Sequence, residues 1–183
     1  YLEPINIGHQ VIHNELVENL GEERIKNFSK EAFDCLIEAE IKWSKLHREL
    51  GRGLKDWGTL GLDYVKPIEI ELVRRIGSSC KSNSYSNFLK ARGKPPVGKL
   101  TLGPLLHMLK DFSQLPTDVQ QSIKNNGVRL QEDAVLVRDL ISIVNPLRNK
   151  GAHSEPFSDK DFLKLRSTLF LEGRMKVFLD LLS

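Results

Sequence analysis

Three side chains that could act together on a phosphodiester lie within six residues of one another, at Arg148, Asn149 and His153. The arginine guanidinium is a permanent cation whose planar fork can bind two phosphate oxygens at once. The histidine imidazole can accept and release a proton near neutral pH. In a continuous helix, Asn149 and His153 lie one turn apart on the same face, and Arg148 lies about 140° around the axis from His153. The spacing therefore suits a site that binds a phosphate group and transfers a proton.

The same residues have a simpler interpretation. Cations are favourable near the C-terminal end of a helix, so an arginine and a histidine there can serve the helix alone. An Arg–His pair taken by itself would favour this interpretation, because such pairs arise often by chance. The complete string around the pair is more specific.

That string, from Arg148 to His153, reads Arg-Asn-Lys-Gly-Ala-His. It resembles the R-x(4–6)-H signature of HEPN domains, a superfamily of ribonucleases and their relatives, with an asparagine directly after the arginine and a small residue before the histidine. The segment that leads into the motif fits the same pattern, because it carries a helical series of apolar residues: Val135, Leu136, Leu140, Ile141, Ile143, Val144 and Leu147.

The resemblance implies a metal-independent endoribonuclease that needs no cofactor. RNA supplies its own nucleophile, the 2′-hydroxyl group, so the protein must remove that proton, stabilise the charge on the phosphate and protonate the leaving 5′-oxygen. His153 would move the proton and Arg148 would hold the phosphate. Asn149 would orient His153 or donate a hydrogen bond to the phosphate. The expected products carry 2′,3′-cyclic phosphate and 5′-hydroxyl ends.

The resemblance also implies partners. One motif supplies one proton-transferring group, and the family combines two motifs across a two-fold axis, so a homodimer acting on RNA is expected. A cytoplasmic toxin or anti-phage defence protein is the expected setting, with a cognate antitoxin or other domains of a longer parent chain as further partners. The alternative is a non-catalytic HEPN-like dimerisation or nucleotide-binding module of a larger multidomain protein. The joint presence of Arg148, Asn149 and His153 favours the nuclease.

A basic interval without any acidic residue separates Glu71 from Asp111. Such a one-signed stretch can attract an anionic polymer, and the alternative is a solvated loop in which lysines serve solubility. We expect phosphate contacts from three cations of the interval and one of the motif: Arg92, Lys94, Lys99 and Lys150. The aromatic residues of the interval, Tyr85 and Phe88, could stack on bases, but anchoring of the chain to the core is the favoured role.

Hydrophobic periodicity predicts helices along most of the chain. The clearest covers residues 28–50, where a heptad-like seam predicts packing on the rest of the domain or on a partner chain. Others cover residues 5–20, 59–76, 102–113, 131–147 and 174–182, and residues 77–99 are predicted to form a long loop. Ser158 and Asp161, and likewise Thr117 and Gln120, have the spacing of a capping box.

Sustained two-residue alternation and hairpin turns are absent from the sequence, so the predicted class is all-α. The expected architecture is an up-and-down helical bundle of four to five core helices with an N-terminal helical extension. Glycines around residues 51–58 mark the boundary between an extension, residues 1–55, and the bundle, residues 56–183. The chain begins at Tyr1 without an initiator methionine, so we expect either a piece of a longer protein or a processed chain.

Several other classes of protein are disfavoured. No window approaches 18 uninterrupted apolar residues, so we expect no membrane span. Neither an H-E-x-x-H motif nor a cluster of carboxylates occurs near His153, so we expect no metal site. The two cysteines, Cys35 and Cys80, do not suggest a disulfide framework, which favours a reducing compartment.

Overall fold

The computed structural model describes the backbone of residues 4–49, 57–150 and 157–182, and the side chains of residues 8–46, 57–147 and 157–182. Over these ranges the chain is an all-α helical bundle, which confirms the predicted class, and its only β-type pairing is an isolated bridge between Val128 and Leu182. Its α-helices are α1 (Pro4–Leu20), α2 (Glu22–Ile25), α3 (Lys30–Glu49), α4 (Gly58–Cys80), α5 (Asn83–Lys90), α6 (Leu102–Lys110), α7 (Thr117–Asn125), α8 (Ala134–Lys150), α9 (Asp159–Arg166) and α10 (Arg174–Asp180).

Helices α3 and α4 lie against each other along most of their lengths and form the centre of the bundle. The predicted seam of α3 turns inward, with Ala32, Leu36 and Ala39 fully buried. Helix α1 covers the other side of α3, while α6 packs on both α4 and α8. The seam therefore packs on the rest of the same chain, which decides between the two roles predicted for it.

One continuous hydrophobic core includes residues from both sides of the predicted domain boundary. Leu16 and Leu36, from the predicted extension, belong to the same buried cluster as Leu72 and Phe178 from the predicted bundle. The boundary itself falls largely on residues 50–56, outside the described residues. The division into residues 1–55 and 56–183 stays a prediction.

The predicted loop over residues 77–99 is wrong in its first half. Helix α4 continues to Cys80, and α5 follows almost at once. The Ser82 hydroxyl accepts a hydrogen bond from the backbone N–H of Tyr85 at 3.1 Å, which caps α5. Tyr85 and Leu89 lie one turn apart and are both buried, so they hold this short helix against the core. The serine and asparagine residues of α5 are typical of loops, and for this reason the helical spacing of Tyr85 and Leu89 did not lead to a helix prediction.

Neither α6 nor α7 begins with a capping hydrogen bond from the side chain of its own N-cap residue. The Thr101 side chain makes no capping hydrogen bond to α6; the Glu69 carboxylate, from α4, accepts from the backbone N–H of Leu102 at 2.9 Å. The predicted capping box of Thr117 and Gln120 also does not form. A side chain from a neighbouring helix can satisfy a terminal N–H as well as a local cap can.

None of the helices in the described ranges is long and apolar enough to cross a membrane.

Candidate functional site

Helix α8 carries the Arg–Asn part of the motif on its last turn. It forms because Leu136, Leu140 and Val144 recur at helical spacing and are all buried in the core. The helix continues through Pro146 to Lys150, although proline cannot donate the usual backbone hydrogen bond. The helix predicted over residues 131–147 therefore extends to Lys150.

The predicted catalytic side chains lie outside the described residues. For Arg148, Asn149 and Lys150 the structure describes the helical backbone but not the side chains, and His153 lies in the undescribed segment 151–156. The structure describes the surroundings on both sides of the motif.

Both sides of the motif meet at Gly61 on α4. A Cβ atom built on Gly61 would lie 2.7 Å from Leu147 Cδ2 and 3.3 Å from Phe157 Cε1, so only glycine fits there without a shift of its neighbours. Leu147 directly precedes Arg148, and Phe157 directly follows the undescribed segment; both are buried. Close packing at Gly61 thus holds the chain at both ends of the motif.

A backbone hydrogen bond and a group of aromatic rings strengthen this anchor. The N–H of Trp57 donates to the carbonyl oxygen of Phe157 at 2.9 Å. The Trp57 ring stacks on Phe162 of α9 with centroids 5.4 Å apart, and Trp43 of α3 lies 5.2 Å from the same ring. Such ring pairs add about 0.5–1.5 kcal/mol each beyond the area they bury. Helices α3, α4 and α9 are therefore joined beside the motif.

A buried polar network, not predicted from the sequence, lies one turn further along α4. The Tyr64 hydroxyl donates to Glu40 Oε1 at 2.8 Å, and Arg166 Nη2 donates to both carboxylate oxygens of Glu40, at 3.2 and 3.0 Å. Burial, together with the Glu40 charge, raises the pKa of Tyr64 well above its ordinary value, so the phenol stays protonated and remains a donor. The sequence signal was a tyrosine in an apolar stripe, whose hydroxyl requires a partner when buried.

A cleft lies between α8 and α9 beside the motif helix. Its volume is about 130 Å³. Its apolar lining consists of Ile143, Pro146, Phe157 and Leu165. Ser142 of α8 and Lys164 of α9 stand on its two walls. We call this feature the α8–α9 cleft.

Helix α9, the second wall of this cleft, begins with the predicted capping box. The Ser158 hydroxyl accepts from the Asp161 backbone N–H at 3.2 Å, and the Asp161 carboxylate accepts from the Ser158 backbone N–H at 3.1 Å. The box is confirmed because it needs only residues three apart in the chain.

The cations of the predicted basic interval have different surroundings. Arg92 lies 4.0 Å above the centroid of the Phe88 ring and donates to Gln114 Oε1 at 2.5 Å. Lys94 and Lys99 are exposed and make no ion pair with any described side chain. All three of these predicted RNA-binding residues are therefore exposed, and Arg92 also stabilises the local structure.

The chain around Lys99 lies away from Leu147, the last described side chain of α8. Leu100, next to Lys99, packs 3.1 Å from the Cβ position of Gly77, whereas Leu147 packs at Gly61. The sixteen residues from Gly61 to Gly77 correspond to about 24 Å along a helix. An RNA strand would have to extend along the bundle to reach both places.

The first two cations of the interval, Arg74 and Arg75, form ion pairs and hydrogen bonds within the fold. Arg74 Nη2 donates to Glu71 Oε2 at 2.6 Å, and Arg75 Nε donates to the same oxygen at 3.3 Å. Arg75 also donates to the carbonyl oxygens of Asn27 and Asn126, at 3.1 and 3.3 Å. Burial raises the pKa of the Glu71 carboxyl, but hydrogen bonds from Arg74 and Ser29 outweigh that effect and hold the pKa below its ordinary value. Glu71 therefore remains ionised as the centre of a structural network.

Within the described residues, no group of three or more His, Cys, Asp or Glu side chains is placed to hold a metal ion. Cys80 is buried, and burial raises the pKa of its thiol to about 11, which makes it a poor nucleophile.

Comparison with known proteins gives no match, whether the chain is compared with protein-family models, with curated proteins or with solved structures.

Proposed function

We propose that this protein is a metal-independent endoribonuclease that cleaves RNA through attack by the 2′-hydroxyl group. The single observation that carries the proposal is the string from Arg148 to His153, which begins directly after the buried Leu147 of α8. A phosphate-binding cation and a proton-transferring imidazole at that point are the two groups the reaction needs.

Two features of the surroundings support the proposal. Helix α8 keeps its helical backbone past Pro146, so Arg148 and Asn149 follow directly on an anchored turn. Leu147 and Phe157 both pack at Gly61. His153 precedes Phe157 by four positions in the chain, and a chain of that length spans at most about 14 Å. A catalytic group must be held in place to be effective, and both flanks of the motif are held here.

The chemistry follows from the residue types. Arg148 binds two non-bridging oxygens of the scissile phosphate and stabilises the charge that develops on them. His153 accepts the proton of the 2′-hydroxyl or delivers one to the leaving 5′-oxygen, and a second copy of the motif across a dimer axis supplies the other transfer. Asn149 orients the imidazole. The products are a 2′,3′-cyclic phosphate and a 5′-hydroxyl end.

Incubation of the purified protein with single-stranded RNA in EDTA tests the proposal. The wild type should cleave in EDTA, because no step uses a metal ion. His153→Ala should lower the rate by about 10²–10⁴-fold, the usual range for a general acid or base. Arg148→Lys should also lower it, because an ammonium group cannot hold two oxygens in one fork.

His107→Ala is the matched control. It removes an exposed imidazole from α6 and should leave the cleavage rate unchanged. Both alanine variants should give the same helical circular dichroism as the wild type. Equal cleavage by wild type and His153→Ala would contradict the proposal, and so would a wild type that is inert on RNA. The second result would favour the non-catalytic module.

A further inference from the structure

The α8–α9 cleft continues the surface that carries the motif. Ser142 and Pro146, on its α8 wall, are four positions apart in the chain and so lie on one face of that helix. The same face reaches position 149 one turn later, since residues 142, 146 and 149 follow helical spacing. The cleft therefore adjoins the helical turn that carries Asn149.

Ser142 offers the cleft an acceptor and not a donor. Its hydroxyl hydrogen is used within α8, where the Oγ atom donates to the carbonyl oxygen of Asp139 at 2.7 Å. The lone pairs of Oγ remain for a ligand, so Ser142 suits a ligand group that donates a hydrogen bond. A hydroxyl group is such a donor, and a phosphate oxygen is not.

Lys164 offers the cleft a cation. It is exposed and forms no ion pair with any described side chain. The other polar groups of the cleft are engaged in the fold: the Asp161 carboxylate accepts from Ser158, and the Thr168 hydroxyl donates to Glu172 Oε1 at 3.3 Å. A ligand thus meets the Lys164 ammonium, the Ser142 hydroxyl as an acceptor and an apolar lining, beside the Asp161 carboxylate that Ser158 holds.

We propose that the α8–α9 cleft binds one ribose–phosphate unit of single-stranded RNA beside the motif. Lys164 contacts the phosphate, and Ser142 Oγ accepts a hydrogen bond from the ribose 2′-hydroxyl. The cleft volume of about 130 Å³ is well below that of a typical ligand pocket, so the base of the nucleotide remains outside. Binding in the cleft is therefore independent of the RNA sequence. The 2′-hydroxyl is the group that distinguishes RNA from DNA, so Ser142 contributes to that distinction. This inference rests on the proposed RNA-cleaving function.

Binding measured apart from cleavage tests the inference. In a His153→Ala background, which keeps the RNA intact, fluorescence anisotropy compares a labelled single-stranded RNA with a DNA strand of the same sequence. Lys164→Gln should weaken RNA binding by about three- to tenfold and lower the salt slope by about 0.7, as expected for one lost phosphate contact on a single strand. Lys160→Gln is the control, because Lys160 lies on the same helix and carries the same charge but does not line the cleft.

Ser142→Ala tests the sugar contact. It should weaken RNA binding by about two- to tenfold and leave DNA binding unchanged, because only RNA loses a hydrogen bond. The substitution should not unfold α8, since alanine is the better helix former at this exposed position.

The outcomes separate this inference from the proposed function. If Lys164→Gln and Lys160→Gln weaken binding equally, or if neither does, the cleft is not a subsite, even where the wild type cleaves RNA. If Lys164→Gln and Ser142→Ala act as expected but the wild type does not cleave RNA, the cleft is supported and the nuclease proposal fails. An equal effect of Ser142→Ala on RNA and DNA would overturn the 2′-hydroxyl assignment.

Discussion

The backbone N–H of Trp57 donates to the carbonyl oxygen of Phe157 at 2.9 Å, and this bond ties the start of α4 to the residue that follows the motif segment. The Phe157 ring and Leu147 both pack at Gly61, one turn further along α4. The chain therefore leaves α8 and returns to the core at one anchored place. Changes at this place bear on the motif without altering any of its residues.

Gly61→Val should destabilise the fold by about 1–3 kcal/mol, the usual cost of overpacking a core. The added side chain starts 2.7 Å from Leu147 Cδ2 and 3.3 Å from Phe157 Cε1, so the side chains on both flanks of the motif must shift. Urea unfolding measures the change in free energy. If the motif is catalytic, RNA cleavage should also fall under conditions where the variant remains folded.

Gly98→Val is the control for that substitution, because nothing lies within 4 Å of a Cβ at Gly98. Its unfolding free energy should stay within about 0.5 kcal/mol of the wild-type value. Equal stability of Gly61→Val and the wild type would show that the contact at Gly61 is not tight.

Glu71→Gln should lower the unfolding free energy at neutral pH by about 3 kcal/mol, because Arg75 then loses its buried counter-charge. The pKa of Glu71 in the fold lies below its unfolded value, so its contribution is present above the unfolded pKa, near 4.5. That contribution is lost as the pH falls below 4.5 toward the folded pKa. The wild type should therefore lose more stability than Glu71→Gln in this acidic range.

Urea unfolding of both proteins at several pH values from neutral to acidic measures this difference. Parallel pH profiles for the two proteins would count against Glu71 as an ionised centre of the network. Glu132→Gln, at an exposed carboxylate, should reproduce the wild-type profile.

Reversal of charge at Lys94 and Lys99 should weaken RNA binding if these exposed lysines contact phosphates. Each lost contact should reduce the salt slope by about 0.7 on a single strand. Lys26→Glu, at an exposed lysine paired with Glu23, is the control and should have a smaller effect. Unchanged RNA affinity at low salt in the Lys94/Lys99 double variant would assign these lysines to solubility alone.

A homodimer is expected from the motif, because one copy supplies one proton-transferring group. The α3 seam no longer supports this expectation, since Ala32, Leu36 and Ala39 are buried within one chain. Light scattering at micromolar concentration should give the mass of two chains. A stable dimer of this kind is expected to bury about 1,000 Å² or more in its interface. A mass of one chain, together with RNA cleavage by that species, would contradict the two-motif mechanism.

The sequence by itself determined the helical class, the existence of a helix that leads into the motif and the capping box at Ser158. Each depends on residues a few positions apart, and local spacing dictates which face of a helix is apolar. It also determined the string from Arg148 to His153, from which the functional proposal derives.

Only the tertiary structure decided which side chains those faces meet. Glu40 and Arg166 are 126 residues apart, and Glu69 caps a helix that begins 33 residues later. Gly61 had no special spacing in the sequence, yet the approach of Leu147 leaves no room there for a side chain. Hydrophobic periodicity indicates which face of a helix is buried. The residues that this face contacts depend on how the helices pack, and helix packing is a property of the whole chain.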